Sequence, residues 1–162
     1  CWGNKSYAFA GQTSRLIGPE AEAPELVQRC FAFARADAAV HHPELDSTDI
    51  DQAHCNFMFE GAGLLPHQDN EISVQIAGRP IWSFNFISCP DAETADYRTF
   101  VVSDKSGKCV AKKYDLRDGD LIIMEGKKMQ SGQHFHGVPK TSAKRFARQR
   151  RLNVTIRAWG TK

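Results

Sequence analysis

The sequence has no apolar run long enough to cross a bilayer and no segment that resembles a secretory signal peptide. It has no internal repeat and no low-complexity tract. No initiator methionine opens the chain, which starts at Cys1 and is therefore predicted to be a domain taken from a longer polypeptide. The 162 residues, 41% hydrophobic and 25% charged, suit one globular domain over 1–162 with one sizeable core and no membrane association.

Cysteine is scarce and irregularly placed. There are five cysteines, an odd number, and none forms a Cys-x-x-Cys pair. This argues against a disulfide framework or a zinc ribbon, and it predicts a reducing intracellular compartment, cytoplasmic or nuclear. Each cysteine is expected to be a small buried hydrophobe.

Acidic residues are absent from one stretch, although the net charge of the whole chain is only +2. The segment KTSAKRFARQRR, residues 140–151, is strongly basic and includes Lys144, Arg145 and Arg148. Two interpretations stay open at this point. The segment is either a solvated loop or a surface that contacts phosphates.

The secondary-structure signals are one helix followed by many short strands. A helix is predicted over 24–40, where apolar residues recur at helical spacing. The segments predicted as strands are 6–11, 54–59, 79–88, 97–102, 108–116, 119–126, 133–138 and 151–159. This pattern predicts a mainly β protein, a jelly-roll-like double sheet with a supporting helix on one side.

The segment LLPHQDNE, residues 64–71, contains two candidate metal ligands. His67 and Asp69 are two residues apart, so a strand directs them to the same face. His134 and His136, also two apart, can each supply a third ligand, whereas His54 is expected to be structural. Two histidines and one carboxylate are typical of non-heme Fe(II) oxygenases, but zinc hydrolysis uses similar ligands.

The segment RLNVTIR, residues 151–157, favours the oxygenase. Alternation places its polar residues on one face of a strand: Arg151, Asn153, Thr155 and Arg157. An arginine at each end of a polar face suits a dianion such as 2-oxoglutarate, because guanidinium groups bind carboxylates bidentately. The alternative is a half-buried edge strand with a solvated polar face.

Together these segments resemble the AlkB-like Fe(II)/2-oxoglutarate dioxygenases, which oxidatively demethylate alkylated nucleobases. The resemblance runs over nearly the whole chain and is carried in order by YAFAG, NFM, HQDNE, HGVP and RLNVTIR. It implies a double-stranded β-helix core and a reaction that uses Fe(II), 2-oxoglutarate and O2. His-x-Asp paired with Arg-x-Asn-x-Thr-x-Arg is its most specific element.

The resemblance also implies roles for individual residues. The iron ligands would be His67, Asp69 and His136, the histidine that stands closest to the Val-Pro pair. The cosubstrate contacts would come from Asn56, Arg151, Asn153 and Arg157. The sequence departs from the family pattern at Met58, where the family has a tyrosine, so one hydrogen bond to 2-oxoglutarate is absent or supplied elsewhere. The neighbours of Asn56, Cys55 and Phe57, are expected to face the core.

The expected substrate is an N-alkylated base in RNA or single-stranded DNA, bound by a monomer. Phe9 would stack on the extruded base and Glu71 would contact the base edge. Lys144, Arg145 and Arg148 would contact the strand, since aromatic platforms and basic rims suit single-stranded nucleic acid. Two alternatives remain: a 2-oxoglutarate-dependent hydroxylase of a protein or small molecule, and a non-catalytic nucleic-acid-binding relic.

Overall fold

The computed structural model describes residues 1–3, 7–9, 12–69, 78–126, 129 and 132–158. The helix α1 is Glu25–His41, within one residue of the predicted helix at each end. Pro24 precedes the first turn, and its carbonyl accepts from Val27 N at 2.8 Å. The helix buries one stripe, as its apolar spacing predicts: Val27, Cys30, Phe31, Ala34 and Ala38.

Eleven strands are present among the described residues: β1 Trp2–Gly3, β2 Tyr7–Phe9, β3 Gln12–Ser14, β4 Ile50–Phe59, β5 Leu64–His67, β6 Ile81–Ser88, β7 Tyr97–Ser103, β8 Val110–Arg117, β9 Leu121–Met124, β10 Phe135–Val138 and β11 Arg150–Ala158. A five-stranded sheet has the order β1-β4-β11-β6-β9. A four-stranded sheet has the order β5-β10-β7-β8, and β2 and β3 form a separate hairpin.

The strands from β4 to β11 form a jelly roll. All their pairings are antiparallel, and apart from the β7–β8 hairpin each successive strand crosses to the other sheet. Two facing antiparallel sheets with this alternation constitute a double-stranded β-helix. The predicted fold class, mainly β with a supporting helix, is confirmed.

Two apolar layers hold the fold together. The first lies between α1 and the outer face of the larger sheet, where Trp82 is fully buried and donates its indole N–H to Asp37 at 2.8 Å. The second lies between the two sheets and contains Ile81, Phe100, Leu116, Met124 and Val138. The second layer fills only part of the space between the sheets, and polar side chains line the remainder.

Several local expectations were wrong. Cys89 and Cys109 are exposed thiols, because they lie in connections rather than in strands. Phe57 is 67% exposed, whereas Cys55 packs against the buried layer under α1.

The strand expected over 6–11 is confirmed for Tyr7–Phe9, the part of it that lies within the described residues. This strand pairs antiparallel with β3.

No helix among the described residues is long and apolar enough to span a membrane.

Candidate metal and cosubstrate site

A pocket of about 220 Å³ opens between the two sheets. It brings together seven of the residues singled out from the sequence: Asn56, His67, Asp69, His136, Arg151, Asn153 and Arg157. They come from β4, β5, β10 and β11 and the residues just after β5, so residues far apart in sequence converge here.

The pocket contains a cluster of two imidazoles and one carboxylate. Potential ligand atoms of His67, Asp69 and His136 lie within 4.8 Å of one another. The two histidines are direct partners in the β5–β10 ladder, and their ring centroids are 4.4 Å apart. Nε2 of His136 is 3.2 Å from Oδ2 of Asp69. His134, the alternative third ligand, does not line the pocket.

His67 has the tautomer and protonation state that suit a metal ligand. Its Nδ1 is 2.9 Å from the carbonyl oxygen of Leu65, which can only accept, so Nδ1 carries the proton and Nε2 carries the lone pair. Burial lowers the pKa of His67, and the neighbouring His136 lowers it further. The imidazole is therefore neutral near pH 7, as metal ligation requires.

Asp69 is buried and ionised. Burial alone raises the pKa of its carboxyl, but the Arg157 guanidinium and the hydrogen bond with His136 hold that pKa below its usual range. Nη2 of Arg157 donates to Oδ1 of Asp69 at 2.5 Å. One carboxylate oxygen therefore faces the arginine and the other faces His136.

The donor set fits Fe(II). Two imidazoles and a carboxylate are the ligands of the facial triad, which leaves positions open for other ligands. Nδ1 of His136 is buried and has no hydrogen-bond partner in the described part of the chain, so this imidazole is not satisfied by the protein alone. Phe100 stacks on the ring of His136 at 5.6 Å between centroids and restricts its rotation.

The opposite wall of the pocket is the polar face of β11. Asn153 is buried and donates to Ser83 Oγ at 2.9 Å and to the Phe84 carbonyl at 2.8 Å, and Thr155 donates to the Asn153 side-chain oxygen at 3.1 Å. Because β11 is paired on both sides along its length, its polar residues face the pocket rather than solvent. The alternative of a solvated edge strand is therefore wrong.

Arg151 is a buried cation with neutral partners. Its Nε donates to the side-chain oxygen of Asn85, and its Nη1 is 3.2 Å from the sulfur of Met58. Among the described residues it forms no ion pair. Burial, and then the nearby Arg98, lower its pKa to about 10, so it remains protonated at neutral pH. Met58 occupies the place where the sequence resemblance expects a tyrosine.

The three basic residues expected to contact the substrate lie away from the pocket. Lys144, Arg145 and Arg148 lie at or beside a 3₁₀ turn, Lys144–Phe146, and none lines the pocket. Arg145 packs over the ring of Tyr97, and Arg148 pairs with Asp91. Glu71 and the side chain of Phe9 lie outside the described residues.

His54 and Asn85 are among the residues of this site that were not anticipated from the sequence. His54 lines the pocket, and burial, followed by the charge of Arg157, lowers its pKa to about 4. Asn85 is fully buried and holds Arg151. A usable signal for Asn85 exists in the segment IWSFNFIS, where Ser83 and Asn85 are polar residues two apart in an otherwise apolar strand.

A cluster of two histidines and a carboxylate, in a jelly roll with a polar pocket, defines the class of non-heme iron oxygenases. The chain belongs to the 2OG-Fe(II) oxygenase superfamily, whose family model matches residues 18–157. It is accordingly a dioxygenase domain, and its cofactor and cosubstrates are Fe(II), 2-oxoglutarate and O2. No curated protein sequence matches the chain.

Two solved structures with distant similarity illustrate the range of matches. A Pseudomonas putida prolyl-4-hydroxylase is 14% identical with a TM-score of 0.38, over 86% of this chain and 82% of that one. Peruvianin-I, a cysteine peptidase from Thevetia peruviana latex, is 8% identical with a TM-score of 0.37, over 68% of this chain. This chain spans 52% of the length of peruvianin-I. Neither similarity carries an argument about function.

Proposed function

We propose that this domain removes N-alkyl groups from bases of RNA or single-stranded DNA by oxidation, with His67, Asp69 and His136 as the Fe(II) ligands. The observation that carries the metal assignment is their convergence in one pocket, with ligand atoms within 4.8 Å of one another. The chemistry that the bound Fe(II) supplies is reduction of O2 coupled to oxidative decarboxylation of 2-oxoglutarate to succinate and CO2. Hydroxylation of the N-methyl group, followed by loss of formaldehyde, returns the unmodified base.

The chain's own residues bind the cosubstrate and keep the ligands oriented. Arg151 is buried without an acidic partner in the described residues, and a carboxylate of 2-oxoglutarate supplies the missing charge. Arg157 already pairs with Asp69, so its part is to orient that carboxylate beside the metal. Asn56 and Asn153 line the same pocket and supply polar contacts to the cosubstrate.

The nucleic-acid substrate is supported by the sequence motifs. HQDNE and RLNVTIR together resemble the AlkB-like members of the superfamily, whose substrates are alkylated bases. Phe9 and Glu71 are the proposed contacts to the base. The target base must be extruded or single-stranded, since a stacked base in a duplex cannot enter the pocket.

A second candidate function is hydroxylation of a protein side chain or a small molecule. It is favoured by the position of Lys144, Arg145 and Arg148, which do not line the pocket. Arg145 packs over the ring of Tyr97 and Arg148 pairs with Asp91, so two cations of the basic segment make contacts within the protein. This candidate keeps the same metal ligands and Arg151.

The test is anaerobic reconstitution with Fe(II) and 2-oxoglutarate, followed by air and methylated RNA or DNA oligonucleotides. Formaldehyde released in step with succinate supports demethylation and ranks RNA against DNA. Succinate without formaldehyde from any oligonucleotide moves the substrate to a protein or small molecule. Asp69→Ala is the control that must abolish both products.

A variant of the basic segment distinguishes further between the two candidate functions. Replacing Lys144, Arg145 and Arg148 by glutamine raises the KM for an oligonucleotide if these cations contact phosphates, and more so at low salt. The same variant leaves the turnover of a peptide or small-molecule substrate unchanged. Succinate production without substrate is the internal control for an intact metal site.

A further inference from the structure

The residue between two of the proposed metal ligands makes its own long-range contacts. Gln68 stands between His67 and Asp69, and its side-chain amide points across to the segment that leads into β10. Nε2 donates to the Gly132 carbonyl at 2.8 Å and to the His134 carbonyl at 3.0 Å. The side-chain amide of Gln68 therefore connects the segment of His67 and Asp69 to the residues that directly precede β10, the strand of His136.

The opposite end of β10 is held by a buried arginine. Nη2 of Arg98 donates to the carbonyls of Gly61 and Ala62, each at 2.6 Å, and to that of Pro139 at 3.0 Å. Gly61 and Ala62 lead into β5, and Pro139 directly follows β10. The two strands that carry the histidines are thus joined at this end through Arg98.

The strands themselves are too short to fix their relative position alone. β5 and β10 each have four residues, and their pairing is irregular between His136 and Val138. Few ladder hydrogen bonds oppose a small shift of one strand along the other. The position of His136 relative to His67 therefore depends on contacts at the ends of β10 as well as on the strand pairings of β10.

We propose that Gln68 is a positioning residue: its two hydrogen bonds to the segment 132–134 hold His136 at the distance from His67 and Asp69 that a metal ion requires. This inference rests on the proposed function, in which these three residues bind Fe(II). Side chains that orient metal ligands typically change metal affinity by about 10- to 100-fold when they are removed.

The test compares Gln68→Met with Gln28→Met. Gln28 is a matched control, because its Nε2 also donates to two backbone carbonyls, Ala23 at 2.7 Å and Ala21 at 3.3 Å, but at the start of α1. Anaerobic Co(II) serves as the probe, and its dissociation constant is measured by absorbance titration without 2-oxoglutarate. The melting temperature of each metal-free variant is measured alongside.

The expected result is Co(II) binding weakened about tenfold in Gln68→Met and unchanged in Gln28→Met, with a similar small decrease of melting temperature in both. Gln68→Asn, which reaches at most one of the two carbonyls, gives an intermediate affinity and serves as the second variant if Gln68→Met does not fold. Wild-type affinity in both Gln68 variants overturns the inference. Failure of the wild-type protein to bind Co(II) contradicts the proposed metal site itself.

Discussion

At the scale of single residues, Arg151 shows a conflict between stability and binding. Its guanidinium is buried and its partners Asn85 and Met58 are neutral, so the folded protein holds a desolvated charge without a counter-ion among the described residues. Such a charge costs free energy in the cosubstrate-free protein, and the same charge attracts a carboxylate once 2-oxoglutarate enters.

We therefore expect Arg151→Met to weaken the binding of 2-oxoglutarate without lowering the stability of the cosubstrate-free protein. The KM for 2-oxoglutarate rises at least about tenfold, because a charge-assisted contact is lost. The melting temperature of the cosubstrate-free protein does not fall, since an apolar side chain of similar length replaces a buried charge. Arg150→Met is the control, because Arg150 is the exposed neighbour on the other face of β11. An unchanged KM in Arg151→Met would show that the cosubstrate binds elsewhere.

His54 makes the stability of the metal-free protein depend on pH. Its pKa falls from the ordinary value of 6.5 to about 4 in the folded state, chiefly through burial. Between these values the unfolded chain binds a proton that the folded protein does not. The free energy of unfolding therefore decreases as the pH falls from 6.5 towards 4. Above pH 6.5 His54 is neutral in both states and causes no such decrease.

We expect the free energy of unfolding of His54→Gln to decrease by about 1–2 kcal/mol less than that of the wild type between pH 6.5 and 4. This value is discounted because the imidazole is partly accessible to solvent. Urea unfolding of the metal-free protein at a series of pH values measures it. His41→Gln, at the exposed end of α1, controls for removal of an imidazole. Equal slopes for wild type and His54→Gln would contradict the assigned role of His54.

At the scale of elements, the connection between β4 and β5 packs against the chain that follows β10. A Cβ added at Gly63 would lie 2.4 Å from both the Lys140 nitrogen and the Val138 carbonyl oxygen. Only a glycine allows this close approach of two backbones. The contact sets how β5, with His67 at its end, lies beside β10.

Gly63→Ala is expected to destabilise the protein by about 3 kcal/mol, because the backbone must move to relieve the overlap. It also weakens Co(II) binding, since β5 moves relative to β10. Gly119→Ala is the matched control: Gly119 has a φ of +81° and nothing within 4 Å of the added Cβ. That substitution costs about 1 kcal/mol of backbone strain and leaves Co(II) affinity unchanged. If both variants bound Co(II) with the same affinity, the contact at Gly63 would not determine how β5 lies beside β10.

At the scale of the whole molecule, the proposed histidine ligands belong to the smaller sheet and are joined to the larger one through Asp69. His67 and His136 lie on the smaller sheet, whereas Arg157, the partner of Asp69, lies on the larger one. An ion bound at this point adds a connection that the unfolded chain lacks. Its binding free energy is therefore added to the stability of the folded state.

A saturating divalent ion should raise the melting temperature of this 162-residue domain by about 5–10 °C, equivalent to about 2.7 kcal/mol at 100 times the dissociation constant. A chelator reverses the shift. His136→Ala abolishes the shift, whereas His134→Ala retains it, because His134 does not line the pocket. The reverse pattern in differential scanning fluorimetry would assign the third ligand to His134.

Local pattern was sufficient to predict many of the residues that face the pocket. In a strand, residues two apart share a face, so RLNVTIR already places Arg151, Asn153 and Arg157 together. The apolar spacing of 24–40 predicted α1, and the many short strands predicted the jelly roll. These features depend on neighbouring residues along the chain, and the sequence by itself determined them.

Contacts between distant segments decided the rest. The ladder pairs His136 with His67, and this pairing puts His136 rather than His134 in the pocket. The partners of Gln68 lie 64 and 66 residues away, and Asn85 lies 66 residues from Arg151. No local periodicity encodes such pairs. Only the tertiary structure fixed them, because strand register and sheet order determine which side chains meet across the pocket.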